Sequence, residues 1–102
     1  MLGSVQNKED VLRLIAENRD RVKTFGVREI GIFGSIARGD HSSSSDVDVL
    51  VDLERNTWRD YVGLLDFLEG LFGREVDLVI KRDIKQIIRS RVLSETEYVE
   101  GF

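Results

Sequence analysis

The sequence predicts a single α/β domain with elements in the order αβαβαβα, built on a small mixed β-sheet with helices packed mainly on one side. Three observations carry this expectation. Residues 27–33, 46–53 and 75–80 are short, β-branched runs in which apolar and polar positions alternate. Between and around them lie segments whose apolar residues recur at helical spacing. The chain has 102 residues, 41% of them hydrophobic and 33% charged, which suits one small core rather than two.

Composition narrows the class further. No apolar run approaches the roughly 20 residues needed to span a bilayer, and the first eight residues contain no apolar signal core. There is no cysteine, so disulfides and thiolate metal sites are excluded, and a cytoplasmic location is expected. A net charge of -4 argues against direct nucleic-acid binding by phosphate neutralisation. It does not argue against a nucleotide enzyme, because bound metal ions bring positive charge of their own. One domain is expected over residues 1–102, with 1–6 as a flexible N-terminus.

Taken in order, the first helix starts behind Asn7 as a cap, with Glu9 and Asp10 in its first turn. Val11, Leu14, Ile15, Val22 and Phe25 carry it to about Thr24, and Gly26 ends it. A strand follows over 27–33, in which Gly31 signals close backbone approach or a bulge. A short helix after Gly34 and a polar turn lead to the second strand, which runs to about Leu53. Residues 57–72 form an amphipathic helix with Trp58, Tyr61, Val62, Leu65, Leu68 and Phe72 on one stripe, closed by Gly73. Trp58 and Tyr61 at this spacing are expected to be core or helix-edge residues rather than a base-stacking pair. The third strand is 75–80, and Asp83 is expected to cap a last helix with Ile84, Ile87, Ile88, Arg91 and Val92 on one face. The basic residues of that segment read as a solvated face, and the acidic, aromatic tail from Glu95 is free to fray or dock.

The chemistry concentrates in residues 30–52. Side chains alternate along a strand, so Asp46 and Asp48 share one face while Val47, Val49 and Val51 share the other. Carboxylates about 6.5 to 7 Å apart on one face repel each other unless cations sit between them. Gly34 allows close backbone approach, and amide N–H groups after it, with the Ser35 hydroxyl, can donate to phosphate oxygens. Asp77, on the third strand, lies on the face opposite Val76 and Leu78, and Glu75 shares that face. Arg38 can reach a phosphate or brace the acidic turn through Asp40, and Ser45 can fix its loop or touch nucleotide. His41, the one histidine, is expected to be exposed and without a role.

Gly-Ser followed about ten residues later by Asp-x-Asp resembles the nucleotidyltransferase superfamily that includes DNA polymerase beta. More closely, Gly34-Ser35-Ile36-Ala37-Arg38-Gly39-Asp40 and Ser45-Asp46-Val47-Asp48 resemble the minimal nucleotidyltransferases of bacteria and archaea, and the likeness extends from about Val27 to Tyr98. The resemblance implies Asp46, Asp48 and Asp77 as catalytic metal ligands, with Asp77 favoured over Glu75 by its Val-Asp-Leu setting. It implies Gly34 and Ser35 as holders of the β- and γ-phosphates, with Arg38 and Ser45 as further nucleotide-binding candidates. All-oxygen ligands favour Mg²⁺ or Mn²⁺ over Zn²⁺.

By the same resemblance the activity is transfer of a nucleoside monophosphate, AMP from ATP, to a hydroxyl of a protein partner. The partner implied is a helical HEPN-class toxin, with this chain as its antitoxin; the alternative is an antitoxin that neutralises by binding alone. The chain is expected to be too short for a substrate-binding domain of its own, which disfavours a small-molecule acceptor. Homo-oligomerisation is left open, and no membrane partner is expected.

Overall fold

The computed structural model describes residues 4–42 and 44–102. Its elements are α1 (Lys8–Glu17), α2 (Arg19–Lys23), β1 (Val27–Phe33), α3 (Gly34–Arg38), β2 (Val47–Leu53), α4 (Trp58–Phe72), β3 (Val76–Ile80), a 3-10 turn (Lys81–Asp83), α5 (Gln86–Glu95) and β4 (Glu97–Tyr98). The expected α/β order is present, with two additions: the first helix is in two pieces, and a short fourth strand closes the sheet.

Asn7 caps α1 as expected, its Oδ1 accepting the Asp10 N–H at 2.9 Å. The helix does not continue to Thr24, because Asn18 leaves helical geometry (φ -111°, ψ 24°) and donates its side-chain amide back to the Leu14 carbonyl at 2.8 Å. That local bond competes with the next helical turn and starts α2 on a new axis. Val11, Ile15 and Val22 are nevertheless all fully buried.

The sheet order is β3-β2-β1-β4, with β1 antiparallel to β2 and β4 and β2 parallel to β3. A parallel pair needs a crossover, which α4 provides. Val47, Val49 and Val51 of β2 point into the main core with Ile30, Ile32, Leu64, Leu68 and Phe72. Leu50, on the opposite face, is buried outside that cluster, as Ile84 is. Thr57 caps α4 by accepting the Asp60 N–H at 3.1 Å. The buried stripe of α4 is Leu64, Leu68 and Phe72. Trp58 lies outside it and is 78% exposed, so of the two expected placements, core or helix edge, it takes the helix edge. In the first turn of α4 its indole stacks on the Tyr61 ring, with centroids 5.9 Å apart.

β3 is an edge strand, and two of its outer backbone groups are capped by side chains. Val76 N–H donates to Glu69 Oε2 at 3.0 Å, and the Leu78 carbonyl accepts from the Tyr61 hydroxyl at 2.8 Å. Such plugs discourage another strand from pairing there. The opposite edge is covered by β4, at whose approach Gly31 is required: a Cβ there would lie 2.7 Å from the Glu97 carbonyl oxygen. Thus the tail docks, and Gly31 marks close approach.

Three further expectations are corrected. Asp83 does not cap the last helix; it ends the 3-10 turn, Ile84 and Lys85 are extended, and α5 begins at Gln86 without a side-chain cap. The two extended residues let Ile84 bury itself, after which Ile87 points to solvent at 91% exposure. Residues 4–6 are not loose: Val5 is buried and its N–H donates to the Phe72 carbonyl at 2.9 Å. The rest of that expected flexible terminus, 1–3, lies outside the described residues. His41 is only half exposed, its Nε2 donating to the Gln6 carbonyl at 2.6 Å and so tying the polar loop to the N-terminal segment.

Candidate active site

β1 and β2 pair so that Phe33 lies opposite Asp48, which places Gly34 at the end of β1 directly beside the Asp48 side chain. Gly34 has φ +72°, and a Cβ built on it would overlap the Asp48 carboxylate. Both facts restrict the position to glycine. Gly34→Ala is therefore expected to lower stability by about 1–3 kcal/mol, read as a shifted urea midpoint at unchanged slope.

The parallel register of β2 and β3 puts Asp77 beside Asp48 on the neighbouring strand. Asp77, not Glu75, is the third-strand acid in register with Asp48. Asp46 precedes β2 by one residue and is exposed, as Asp77 is. Asp48 is pushed up from its ordinary value of 3.8 to about 6, first by burial, then by the charges of Asp77 and Asp46. Glu95 adds to this and Arg38 partly offsets it. Four acids therefore act on one spot at the end of the sheet. As placed they form no ready-made cage: among the described residues, no three Asp, Glu, His or Cys side chains are arranged to hold one ion.

Ser35 lines a pocket of about 360 Å³ with Phe33, Gly34, Arg38, Asp48 and Glu95. Arg38 pairs with Asp40 through Nε at 3.1 Å and with Glu95 Oε1 through Nη1 at 3.1 Å, so it braces the turn. Ser45 is used within its loop: its hydroxyl accepts the Ser42 N–H at 2.9 Å, and its carbonyl accepts from Arg74 Nη1 at 3.1 Å. These bonds tie down the loop immediately before Asp46 and β2. The site residue that sequence reasoning missed is Glu95, whose Oε1 also accepts the Gly34 N–H at 3.3 Å. Its position at the end of an irregularly started helix gave no local signal.

A second, larger cleft of about 730 Å³ runs along β3 and the start of α4, lined by Trp58, Tyr61, Leu78, Val79, Ile80 and Asp83 among others. The Tyr61 hydroxyl is raised first by burial and then by the charge of Asp77, which precedes the cleft residue Leu78 on β3.

Residues 12–99 match the model of the nucleotidyltransferase domain family. The chain belongs to that family. Among relatives of this nucleotidyltransferase, the protein adenylyltransferase MntA of Thermococcus cleftensis is 45% identical over 87 residues, covering 84% of this chain and 88% of its own. A Methanocaldococcus jannaschii relative, provisionally named a protein adenylyltransferase, is 34% identical over 100 residues, 96% of this chain and 100% of its own. A solved structure assigned provisionally to the minimal nucleotidyltransferases superposes with a TM-score of 0.77 at 36% identity, covering 93% of this chain and 98% of that one. The fold also matches a toxin–antitoxin structure with AMP-PNP, at TM-score 0.68 and 22% identity over 95% of this chain and 75% of that one. It matches as well a tri-AMPylated Shewanella oneidensis HEPN toxin in complex with an MNT antitoxin, at TM-score 0.63 and 18% identity over 89% and 73%. The activity class, nucleotidyl transfer, follows from family membership, and the nucleotidyltransferase fold from the neighbours.

Proposed function

We propose that this nucleotidyltransferase moves AMP from ATP to a hydroxyl of a protein partner, as the antitoxin of a HEPN-type toxin in the cytoplasm, and that residues 1–102 act as one domain. The observation that carries the reading is the register that sets Asp77 beside Asp48, and Asp48 in turn beside Gly34 at the end of β1. The protein acceptor is supported by the adenylyltransferase name of the 45% identical relative, and the toxin by the complexes in which the fold recurs.

Asp46, Asp48 and Asp77 would hold Mg²⁺ or Mn²⁺; their all-oxygen donors and the mutual repulsion recorded at Asp48 suit a hard divalent cation. Such an ion, when bound, supplies charge neutralisation at the α-phosphate and a more acidic acceptor hydroxyl. The chain's own residues do the remaining work. Ser35 donates its hydroxyl to a phosphate oxygen of the leaving pyrophosphate, and the Gly34 backbone N–H beside it is a second donor. Asp77 is exposed on the edge strand, where an incoming hydroxyl can reach it, and a carboxylate Oδ there takes the proton as the new O–P bond forms and the bond to pyrophosphate breaks.

Ser35→Ala is expected to cut the rate with ATP roughly ten- to a hundredfold, since a charge-assisted bond is worth about 1.5–3 kcal/mol. The melting temperature should stay near wild type, because the side chain makes no bond within the fold among the described residues. The reading itself is tested by incubating the purified chain with labelled ATP, Mg²⁺ and the protein encoded beside it, followed by intact-mass spectrometry. A mass increase of one or more AMP units on the partner supports transfer. A partner silenced but unmodified replaces this reading with neutralisation by binding alone.

A further inference from the structure

Three contacts converge on the Glu95 carboxylate, and all come from groups suited to a phosphate. Oε1 accepts the Gly34 backbone N–H at 3.3 Å and Arg38 Nη1 at 3.1 Å, and Oε2 faces Arg91 Nε at 3.5 Å. The same carboxylate adds to the repulsion on Asp48 and sits in the last residue of α5, where the helix dipole disfavours negative charge. An acid in such company is held only by its cationic and amide partners. Those partners hold it loosely, since charge-assisted N–H···O⁻ bonds reach about 2.7–2.9 Å when well formed. The pocket around it, about 360 Å³, is lined by Ser35, Arg38, Asp48, Ile88, Arg91 and Glu95.

We propose that Glu95 is a built-in competitor for the nucleotide's phosphate tail, and that Arg38 and Arg91 are the cationic arms it holds until a triphosphate takes its place. The inference rests on the reading of the Gly34-Ser35 pocket as the phosphate site and adds two residues to it. A triphosphate offers more negative charge and more acceptor oxygens than one carboxylate, so it wins Arg38, Arg91 and the Gly34 N–H. The released Glu95 turns away on the exposed end of α5, and its repulsion on Asp48 goes with it. A nucleoside monophosphate, lacking the tail, leaves Glu95 where it is. The arrangement favours triphosphates over the mono- and diphosphates that share the base.

The test is calorimetric titration of wild type, Glu95→Gln, Glu95→Ala and Arg91→Gln with Mg²⁺-ATP, tripolyphosphate and AMP, with melting curves to establish folding. Removing the charge at Glu95 should tighten ATP and tripolyphosphate about three- to tenfold, the scale of exposed ion-pair competition, and leave AMP unchanged. Arg91→Gln should weaken the two tail-bearing ligands by a similar factor, and should do so in the Glu95→Gln background as well, where the internal pair is already gone. If folded Glu95→Gln and Glu95→Ala bind ATP as wild type does, or more weakly, Glu95 is a prop for the turn and the inference fails while the phosphate pocket stands. If tightening appears equally for AMP, the effect is general electrostatics and the inference also fails. If wild type and every variant bind neither ATP nor tripolyphosphate, the phosphate-site reading falls and takes the inference with it.

Discussion

Asp77→Asn should leave Mg²⁺-ATP affinity within a few-fold of wild type and lower AMP transfer about a thousandfold, an effect of several kcal/mol on the transition state alone. The asymmetry follows from where Asp77 sits. Gly34, Ser35 and Arg38 belong to α3 and the end of β1, on the inner side of the site, whereas Asp77 lies on the edge strand β3, outside Asp48. A group on that side meets the acceptor rather than the phosphate tail. In the proposed function its carboxylate would be needed as the acceptor hydroxyl loses its proton, so its loss should depress turnover more than ground-state binding. Asparagine keeps the size and removes the charge, so the strand should remain paired. Titration calorimetry gives the affinity, and intact mass of the partner gives the transfer. A mutant that transfers normally, with Glu75→Gln inactive, would move the proton acceptor to Glu75; a mutant that cannot bind ATP would place Asp77 on the donor side instead.

The donor half of this site was readable in the sequence because its parts are local. Gly34 and Ser35, the turn and the Asp46–Asp48 alternation all lie within one stretch, and the buried valines between the acids fix which face the carboxylates take. Asp77 was readable only as a candidate, since alternation serves Glu75 equally well. Deciding between them takes the parallel register with β2, and the pairing of strands joined by a long crossover is tertiary information. Glu95 was not readable at all. It reaches Gly34 from the last residue of α5, and the apolar spacing read across Ile84, Ile87, Ile88 and Val92 did not announce this path, because Ile84 lies before the helix and Ile87 is exposed.

The same distinction runs through the fold. The cap at Asn7 and the bounds of β1 were local signals and appear where expected. The break at Asn18 was not visible, because asparagine fits a helix passably and its side-chain bond to Leu14 is one of several it could make. For Trp58 the spacing allowed core or helix edge, and its exposure shows which, because spacing places a residue on a helix face and says nothing about what faces it there. Trp58 and Tyr61 line the cleft along β3, which is larger than the pocket beside Ser35.

Asp48→Asn should make the ligand-free protein more stable at neutral pH while ending its activity. In the fold Asp48 is raised from 3.8 to about 6, chiefly by burial and by its acidic neighbours, so its ionised form is disfavoured there relative to the unfolded chain. The folded state then binds more protons than the unfolded one between these values, and stability falls as pH rises through that window. The cost is absent below about pH 3.8 and complete above about pH 6. Two pKa units correspond to about 3 kcal/mol, but Asp48 is half exposed and solvent screening reduces this to about 1–1.5 kcal/mol. With metal chelated, the variant should melt about 5–10 °C higher than wild type at pH 7.5, and the gap should close as pH approaches 4. Mg²⁺ with a nonhydrolysable ATP analogue should then raise the wild-type melting temperature by linkage and leave the variant unmoved, because asparagine relieves the repulsion without supplying the charge a cation needs. Transfer by the variant should be lost, at least a thousandfold below wild type. A variant no more stable than wild type at pH 7.5 would mean that the strain at Asp48 is already relieved by solvent. A variant that still gains stability from metal and analogue would mean that Asp48 is not where the cation binds.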